Sequence, residues 1–361
     1  MSEADMIRYA VVGAGWISQA AFLPAVSQTG NSSIAAIVSG DAERANKLAK
    51  FYSVDKVASY AEFDALLSSD DIDAVYIAVP NPLHATYAIR AAKAGKHVLV
   101  EKPIATTESD AEAMIQAAEH SGVLLMTSYR LHNEAGTVAA LDAIRDGRIG
   151  DPRHFSAHFS FQAALGNHRL NAEHWGGPLQ DIGIYCLNAA RHVFASEPVE
   201  ATAMTTRPND DPRFADIDEA VAVTLRFPEN RLAQFYCSFG AAAIDTYRVV
   251  GTEGVLTMDP GFRFETPTRM VLNTKCGNET IQFLHGDHFG GQIRYFSECV
   301  QKGIAPIADG EEGLADLRAL LAIEGAAKTG LPRAISTPQR NRHPTAEIVR
   351  TVRHTERRLK C

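Results

Sequence analysis

Short apolar runs alternate with longer segments of helical spacing along the first third of the chain. The apolar runs are Ile7–Val12, Ser33–Val38, Ala74–Val79, His97–Val100 and Val123–Met126. The helical patterns between them are Trp16–Gln28, Ala42–Phe51, His84–Ala94 and Ser109–His120. Strands that alternate with helices of roughly 10–15 residues predict βαβ units. Because such crossovers are right-handed, we expect residues 1–128 to form an α/β domain with a doubly wound parallel sheet.

The pattern changes after Ser128. Two segments alternate apolar and polar residues with period two, Ala220–Arg226 and Leu232–Ser238. Further short β segments are Arg248–Val250, Gly254–Met258, Arg269–Asn273 and Thr280–Leu284, and late helical patterns are Gln292–Lys302 and Gly313–Thr329. We therefore expect an α+β domain over residues 129–335 with a mostly antiparallel open sheet. Residues 336–361 form a basic C-terminal tail, expected as a solvated helix or a partly disordered segment.

Charge and composition exclude several classes of function. Lys and Arg number 35 against 43 Asp and Glu, a formal net charge of −8. This balance argues against general binding to nucleic acid or to anionic membranes. No apolar run approaches the roughly 20 residues that span a bilayer, and the first residues lack the pattern of a secretory signal. We expect a cytoplasmic protein with neither nucleic acid nor membrane as a partner.

The cysteines and histidines predict no metal site. The five cysteines are scattered and none forms a CxxC pair, so neither a disulfide framework nor a zinc site is indicated. The histidines show no ligand spacing, and we expect His168 and His174 to lie at a pocket rim or on the surface. A metal-dependent dehydrogenase is therefore disfavoured.

A glycine-rich turn follows the first predicted strand. Gly13, Gly15, Trp16, Ile17 and Ser18 stand in the sequence Gly-Ala-Gly-Trp-Ile-Ser, which opens a helix. In the dinucleotide-binding fingerprint of a Rossmann domain, the first glycine allows the tight turn and the second lets backbone approach the pyrophosphate. The helix N-terminus offers free amides to the phosphates. Ser18 replaces the third glycine, so strand and helix are expected to pack slightly less closely.

The tip of the second strand distinguishes the two nicotinamide cofactors. An NAD site usually carries a carboxylate there, but this strand ends in Ser39 and Gly40. These residues, with Arg44 one turn into the next helix, favour the 2′-phosphate of NADP. Asp41 would favour NAD if it turned inward. Its other role would be to cap the helix that follows.

Two more strand ends carry polar residues. Pro80, Asn81 and His84 follow the strand that ends at Val79, and Glu101 and Lys102 follow the strand that ends at Val100. Ligands of open α/β sheets bind at the carboxyl ends of the strands. Lys102 would form a hydrogen bond with a substrate hydroxyl there and lower the pKa of a nearby acid. The alternative is a structural lysine whose ammonium extends to solvent at the edge of the sheet.

Together these motifs resemble the Gfo/Idh/MocA oxidoreductase family. The resemblance rests on Gly13-x-Gly15, Val79-Pro80-Asn81-x-x-His84, Ala94–Val98 and Glu101-Lys102-Pro103, and on the later segments Gly176–Tyr185 and Met258–Pro260. It covers roughly residues 6–335. The later segments are similar to the branch that holds glucose–fructose oxidoreductase, aldose dehydrogenases and dimeric dihydrodiol dehydrogenase.

The resemblance implies the residues of the active site. Lys102 corresponds to the catalytic lysine, and Asp181 and Tyr185 to the remaining catalytic pair, which lie at i and i+4 on a candidate helix. Free tyrosine has a pKa of about 10, so a cation such as Lys102 would favour the phenolate as a base. Tyr129 would line the nicotinamide or substrate side, or pack at a domain hinge. The expected cofactor-binding residues are Gly13, Gly15, Trp16, Ile17, Ser39, Gly40, Arg44, Pro80, Asn81, His84, Glu101, Lys102 and Tyr129.

The function that the resemblance implies is NADP-dependent oxidation of a pyranose sugar. Hydride would pass from the C1 hydroxyl carbon of an aldose to NADP and give a lactone, with or without reduction of a second sugar by retained NADPH. A keto-sugar or dicarbonyl reductase, a sugar 3-dehydrogenase and a non-catalytic NADP sensor remain open, and a redox-linked glycoside hydrolase is disfavoured. The family also implies a homo-oligomer, a dimer or tetramer, formed through the C-terminal sheet.

This sequence departs from the branch near the substrate loop. Asn167-His168-Arg169 stands where the branch has Trp-Arg, and Trp175 replaces a small residue before Gly176. Both changes are expected to alter the choice of sugar, because this loop caps it. No long N-terminal arm is present, so ordinary exchange of NADP is expected.

Overall fold

The computed structural model of the protein describes residues 6–361, which form two compact units. The first unit runs to Glu134 and also includes Gly286–Leu314 and Ile348–Cys361. The second comprises Ala135–His285 and Ala315–Glu347. These units are discontinuous along the chain, whereas the predicted domains, 1–128, 129–335 and 336–361, are contiguous. The difference arises because the chain returns to the first unit at Gly286 and again at Ile348.

The first unit contains a six-stranded parallel sheet, as the alternating pattern predicts. Its strands are β1 Ile7–Val12, β2 Ser32–Val38, β3 Lys56–Ala58, β4 Ala74–Ile77, β5 His97–Glu101 and β6 Leu125–Ser128, in the order β3-β2-β1-β4-β5-β6. The short edge strand β3 carries too few apolar residues to show in the sequence pattern. The strand order reverses between β1 and β4, where ligands bind in doubly wound sheets.

Residues at the N-termini of the helices in the first unit explain where two of these helices begin. They are α1 Leu23–Thr29, α2 Ala42–Tyr52, α3 Phe63–Leu67, α4 His84–Lys93 and α5 Glu108–His120. A π-helical segment, Ser18–Phe22, leads into α1, and Pro24 lies in the first turn of α1, where its missing N–H is tolerated. Thr107 caps α5 by accepting from Asp110 N. These caps satisfy backbone donors that the helix leaves unpaired.

The second unit is built on a nine-stranded sheet. Its strands are β7 Pro152–Ser160, β8 Glu200–Thr206, β9 Ala220–Arg226, β10 Leu232–Ser238, β11 Ile244–Gly251, β12 Gly254–Met258, β13 Arg269–Thr274, β14 Gly277–Gln282 and β15 Arg333–Ala334. The order is β14-β13-β12-β11-β7-β10-β9-β8-β15, with β7 and β10 parallel and the other pairs antiparallel. This confirms a mostly antiparallel sheet.

Helices α6 Ala135–Arg145 and α7 Ile184–Phe194 belong to the second unit, and a π-helical segment, Leu179–Gly183, precedes α7. On β10, Phe235 and Cys237 are buried while Gln234 is exposed. Gly183 packs on the buried face: a Cβ there would lie 3.0 Å from Cys237 Sγ. The period-two pattern of β10 thus identifies the face that carries α7.

The end of the chain returns to the first unit. Helix α8, His288–Lys302, is capped by Asp287 and ends at Gly303 in the left-handed conformation. Helix α9, Gly310–Thr329, contains the boundary between the units. The tail has only a short 3-10 turn, Ala346–Ile348, and then runs as an irregular segment that bonds to the first unit. The solvated helix expected for this tail is absent from residues 336–361.

Among residues 6–361, no helix combines the length and the apolar character needed to cross a bilayer.

Candidate functional site

The glycine turn after β1 packs closely against the end of β4 and is braced by two side chains of its own segment. Gly13 has φ +103°, and a Cβ there would lie 2.5 Å from Ala78 O at the end of β4. Only glycine fits this approach. Ser18 Oγ donates to Gly13 O at 2.6 Å, and Gln19 Nε2 donates to Ala14 O at 2.7 Å. The serine in place of the third glycine therefore braces the turn from within.

The same turn leaves room for a ligand. A Cβ on Gly15 would meet no atom within 4 Å, so backbone at this position faces open space. Trp16 is 40% exposed beside it, and Ile17 is half-buried. A turn that is tightly packed behind and open in front fits the pyrophosphate of a dinucleotide.

At the tip of β2, Asp41 caps the next helix. Its Oδ1 accepts from Arg44 N at 2.9 Å, and its Oδ2 lies 3.2 Å from Arg44 Nη2. The capping role predicted as one of two for Asp41 is the one found. Ser39 Oγ accepts from Asp41 N at 3.1 Å. Arg44 Nε is buried without a hydrogen-bond partner, so the guanidinium retains donor capacity in the first turn of α2.

His84 links the two other strand ends. It is buried, with Nδ1 2.9 Å from Pro103 O and Nε2 3.0 Å from Val79 O. Burial lowers the pKa of His84 to about 4, so the neutral ring donates to one of these carbonyls at a time. The side chain predicted for cofactor binding thus braces the loop that carries Pro80 and Asn81, both half-buried.

Glu101 and Lys102 lie at the end of β5. Glu101 is buried, and its Oε1 accepts from Tyr76 Oη at 2.7 Å. Burial raises the pKa of Glu101, and the positive charge of Lys102 acts against that rise. Lys102 itself is half-buried. Its position matches the prediction of an ammonium at the ligand edge of the sheet.

Tyr129 follows β6 and is packed inside the first unit. It is only 2% exposed, and its ring stacks on His132 with centroids 5.3 Å apart. Of the two roles predicted for Tyr129, these contacts support packing.

In the second unit, Asp181 and Tyr185 share one accessible face. Both are half-buried, whereas the residues between them are buried, and so are Cys186, Leu187 and Asn188 after them. Asp181 lies in the π-helical segment and Tyr185 in α7, yet the two residues still lie on the same face. Tyr185 also lies beside Phe159 on β7, with ring centroids 6.1 Å apart. The predicted pair is therefore brought together.

Arg169 is a partner of Asp181 that the sequence analysis did not identify. Its Nε lies 2.7 Å from Asp181 Oδ2, and both side chains are about four-fifths buried. The two glycines explain how the loop reaches Asp181. Gly177 N donates to Arg169 O at 2.9 Å, and a Cβ on Gly176 would lie 2.3 Å from the same oxygen. Only glycine allows this approach.

Trp175 is fixed next to this ion pair. It has φ 51°, and its Nε1 donates to Glu324 on α9 at 2.9 Å. Gln180 Nε2 donates to the same Glu324 oxygen at 2.5 Å, and burial raises the pKa of Glu324. The indole that departs from the family pattern is thus held in one orientation by a carboxylate far away in the sequence.

The predicted site residues therefore fall into two groups. The cofactor-binding residues and Lys102 belong to the first unit, and Asp181 and Tyr185 belong to the second. Within the first unit the predicted residues follow β1, β2, β4, β5 and β6, and within the second they share one helix face. Their roles in binding and catalysis stay predictions. The joint action of Lys102 with Asp181 and Tyr185 stays a prediction.

The chain matches family models over both of its halves. Residues 7–129 match the oxidoreductase family model described as an NAD-binding Rossmann fold, and residues 137–257 match the GFO/IDH/MocA C-terminal domain. Among curated proteins, an NADP(+)-dependent D-xylose 1-dehydrogenase of Haloarcula marismortui is 32% identical, covering 90% of this chain and 91% of that protein.

Two solved structures are similar over nearly the same length. An aldose–aldose oxidoreductase from Caulobacter crescentus, complexed with glycerol, is 33% identical with a TM-score of 0.86, covering 91% of this chain and all of that one. A 3-ketoreductase from Actinomadura kijaniata in complex with NADP is 29% identical with a TM-score of 0.80, covering 89% and 98%. On these matches, with the parallel sheet, glycine turn and Asp181–Tyr185 helix described above, the chain belongs to the Gfo/Idh/MocA family of oxidoreductases.

Proposed function

We propose that the protein is an NADP-dependent oxidoreductase of pyranose sugars that oxidises the C1 hydroxyl of an aldose to a lactone. The observation that carries this proposal is the accessible pair of Asp181 and Tyr185 on an otherwise buried helix segment. A carboxylate and a phenol on one face suit a substrate with several hydroxyl groups, because one binds a hydroxyl while the other exchanges a proton. The xylose dehydrogenase and the aldose–aldose oxidoreductase support the choice of an aldose.

The cofactor would be held by the first unit. The open space at Gly15 accommodates the pyrophosphate, and the unpartnered Nε of Arg44 offers a donor to a 2′-phosphate. With Asp41 engaged as a helix cap, no carboxylate is left at the tip of β2 to bind the ribose diol of NAD. The relatives that use NADP agree with this assignment.

When bound, NADP supplies the acceptor for the hydride that leaves C1. The chain's own residues handle the proton. Tyr185 would act as a phenolate that the ammonium of Lys102 favours, and on taking the proton of the C1 hydroxyl it would become a neutral phenol. Asp181, oriented by Arg169, accepts a hydrogen bond from a second sugar hydroxyl. Trp175 offers a flat apolar wall to the ring, held by Glu324.

A second candidate is the reduction of a 3-keto-sugar. It is favoured by the similarity to the 3-ketoreductase from Actinomadura kijaniata, which is about as extensive as that to the aldose enzymes. The same Tyr185 would then donate its proton to the carbonyl oxygen.

A panel of sugars tests the first candidate. The purified protein is mixed with NADP and a set of aldopentoses and aldohexoses, and the absorbance of reduced nicotinamide is followed. Aldoses that are oxidised should yield lactones, which hydrolyse to aldonic acids. If the enzyme retains NADPH, a second aldose should be reduced to an alditol. Adding a second aldose and measuring the alditol tests this. Tight binding of NADP without any turnover, alone or with a second sugar, would contradict the proposal and favour a sensor or another substrate class.

A further inference from the structure

The tail of the chain is fixed to the first unit at successive points. Arg350 donates to both carboxylate oxygens of Glu298 on α8, at 2.8–3.0 Å. Val352 O accepts from Asp287 N at 2.9 Å, and the Val352 side chain is buried. We call residues 350–361 the tail segment. Its charged and apolar anchors show that it is a folded part of this unit.

The second half of the tail segment runs along α2 towards the glycine turn. Arg357 Nη2 donates to Phe51 O at 3.0 Å and Leu359 N to Tyr52 Oη at 3.4 Å, both at the last turn of α2. Two residues later, Cys361 N donates to Gln19 Oε1 at 2.7 Å. Helix α2 begins at the ligand edge of the sheet and ends away from it. The tail segment, which passes from the end of α2 to Gln19, therefore runs towards the ligand edge.

Gln19 connects the tail segment to the phosphate-binding turn. Its amide oxygen accepts from Cys361 N while its amide nitrogen donates to Ala14 O, between the two glycines. Lys360 Nζ lies 5.7 Å from the ring centroid of Trp16, the residue that follows Gly15. Lys360 is exposed, so the cation–π contact leaves its ammonium able to bind an anion.

We propose that Lys360 is a further phosphate-binding residue of the dinucleotide site, held beside the glycine turn by the tail segment. An exposed ammonium near the ring of Trp16, the residue that follows Gly15, complements the negative pyrophosphate, to which helix N–H groups alone supply only partial charge. Because the tail segment contacts both Trp16 and Gln19, we expect it to slow the release of the cofactor. This inference rests on the proposed use of NADP, but not on the identity of the sugar.

The test measures NADPH binding and release without any sugar. Lys360→Ala should weaken binding about two- to fivefold, with an effect that shrinks as salt rises, because the ammonium is exposed. Lys360→Glu should weaken it more. Lys93→Ala, which removes an exposed lysine from the last turn of α4, is the matched control and should leave binding unchanged.

A truncated chain tests the role of the segment in release. Removing residues 357–361 should raise the dissociation rate of NADPH roughly tenfold, more than Lys360→Ala does, since affinity changes act mostly through dissociation. Unchanged or tighter binding in the Lys360 variants would overturn the assignment of Lys360, and an unchanged dissociation rate in the truncated chain would overturn the role of the segment in release. A failure of the wild type to bind NADPH would overturn the proposed cofactor as well, whereas NADPH binding without sugar turnover would leave this inference intact.

Discussion

The glycine turn of the first unit is fixed by backbone geometry, whereas Asp181 and Tyr185 of the second unit are fixed by charged side chains. Ser18 and Gln19 donate to carbonyl oxygens of the turn, and His84 lies 3.0 Å from Val79 O at the neighbouring strand end. The helix segment of Asp181 and Tyr185 depends instead on Arg169 and on buried charges from α9. We therefore expect the first arrangement to be most sensitive to changes at Gly13 and at the side chains that bond to backbone carbonyls, and the second to be most sensitive to changes of charge.

The charged support of α7 is clearest at its far end. Arg191 is 2% exposed and lies between Glu197 and Asp316, with contacts of 2.5 and 2.6 Å. Asn188 Nδ2 donates to Asp316 at 2.9 Å. Helix α7 thus carries Tyr185, the residue proposed to be catalytic, on its accessible face and a buried ion cluster on another face. Substitutions on the two faces should therefore have different effects.

The largest effect is expected from Tyr185→Phe. The substitution removes one oxygen from the accessible face and should lower turnover about 10²–10⁴-fold, the range for loss of a general acid–base group. Binding of NADP should stay nearly intact, because Tyr185 belongs to the other unit. Steady-state kinetics and cofactor titration measure both. Tyr236→Phe, on the opposite face of β10, is the control, and an equal loss of turnover there would remove Tyr185 from the mechanism.

Loss of the buried guanidinium should destabilise the second unit. Arg191→Met leaves the carboxylates of Glu197 and Asp316 buried without their cation, so we expect a loss of about 3–5 kcal/mol in the free energy of unfolding. Urea denaturation measures it. Arg226→Ala breaks an exposed ion pair with Glu200 and should cost less than about 1 kcal/mol. Similar values for the two variants would show that the cluster adds no more than a surface pair.

The turn of the first unit should respond to pH through His84. Its folded pKa of about 4 lies below the unfolded value of about 6.5, so the unfolded chain binds more protons between these pH values. Stability should therefore fall as pH drops through this window, by about 3 kcal/mol from this residue. His84→Gln should remove that part of the pH slope. His120→Gln, on the exposed last turn of α5, should not, and an unchanged slope in His84→Gln would contradict the buried neutral ring.

The smallest effect concerns the choice of cofactor. Arg44→Ala should weaken the binding of NADP about tenfold and leave the binding of NAD nearly unchanged. The expected loss is that of one charge-assisted hydrogen bond, lowered because the side chain is partly exposed. Lys47→Ala removes a cation one turn further along α2, where it pairs with Glu43, and serves as the control. Calorimetric titration with both dinucleotides compares them. Equal losses for NADP and NAD would disprove the 2′-phosphate assignment.

Patterns within short segments of the sequence predicted the strands, the helices and the residues that share a helix face. The five predicted strands and four predicted helices of the first domain follow from apolar periodicity and glycine positions, and the α/β fold, the mostly antiparallel second sheet and the family are confirmed. The pair at 181 and 185 followed from spacing and from the resemblance. The Asp41 cap was one of two roles left open, because sequence alone does not decide which way a side chain at a strand tip turns.

Contacts between distant segments could not be predicted in this way. Arg169 reaches Asp181 only because Gly176 and Gly177 allow the loop to fold back, and Glu324 reaches Trp175 from a helix some 150 positions later. The tail segment gave no apolar period, since its anchors are single arginines, backbone groups and one buried apolar side chain, Val352. Its return to the first unit also makes the compact units discontinuous.

The central claim is that hydride leaves C1 of an aldose for NADP under proton transfer by Tyr185. The most direct measurement supplies an aldose deuterated at C1 and determines the mass of the NADPH formed, or of the alditol if the cofactor is retained. We predict that deuterium appears in that product, and that Tyr185→Phe slows its transfer. Reduced product without deuterium, or transfer at the wild-type rate in Tyr185→Phe, would contradict the account.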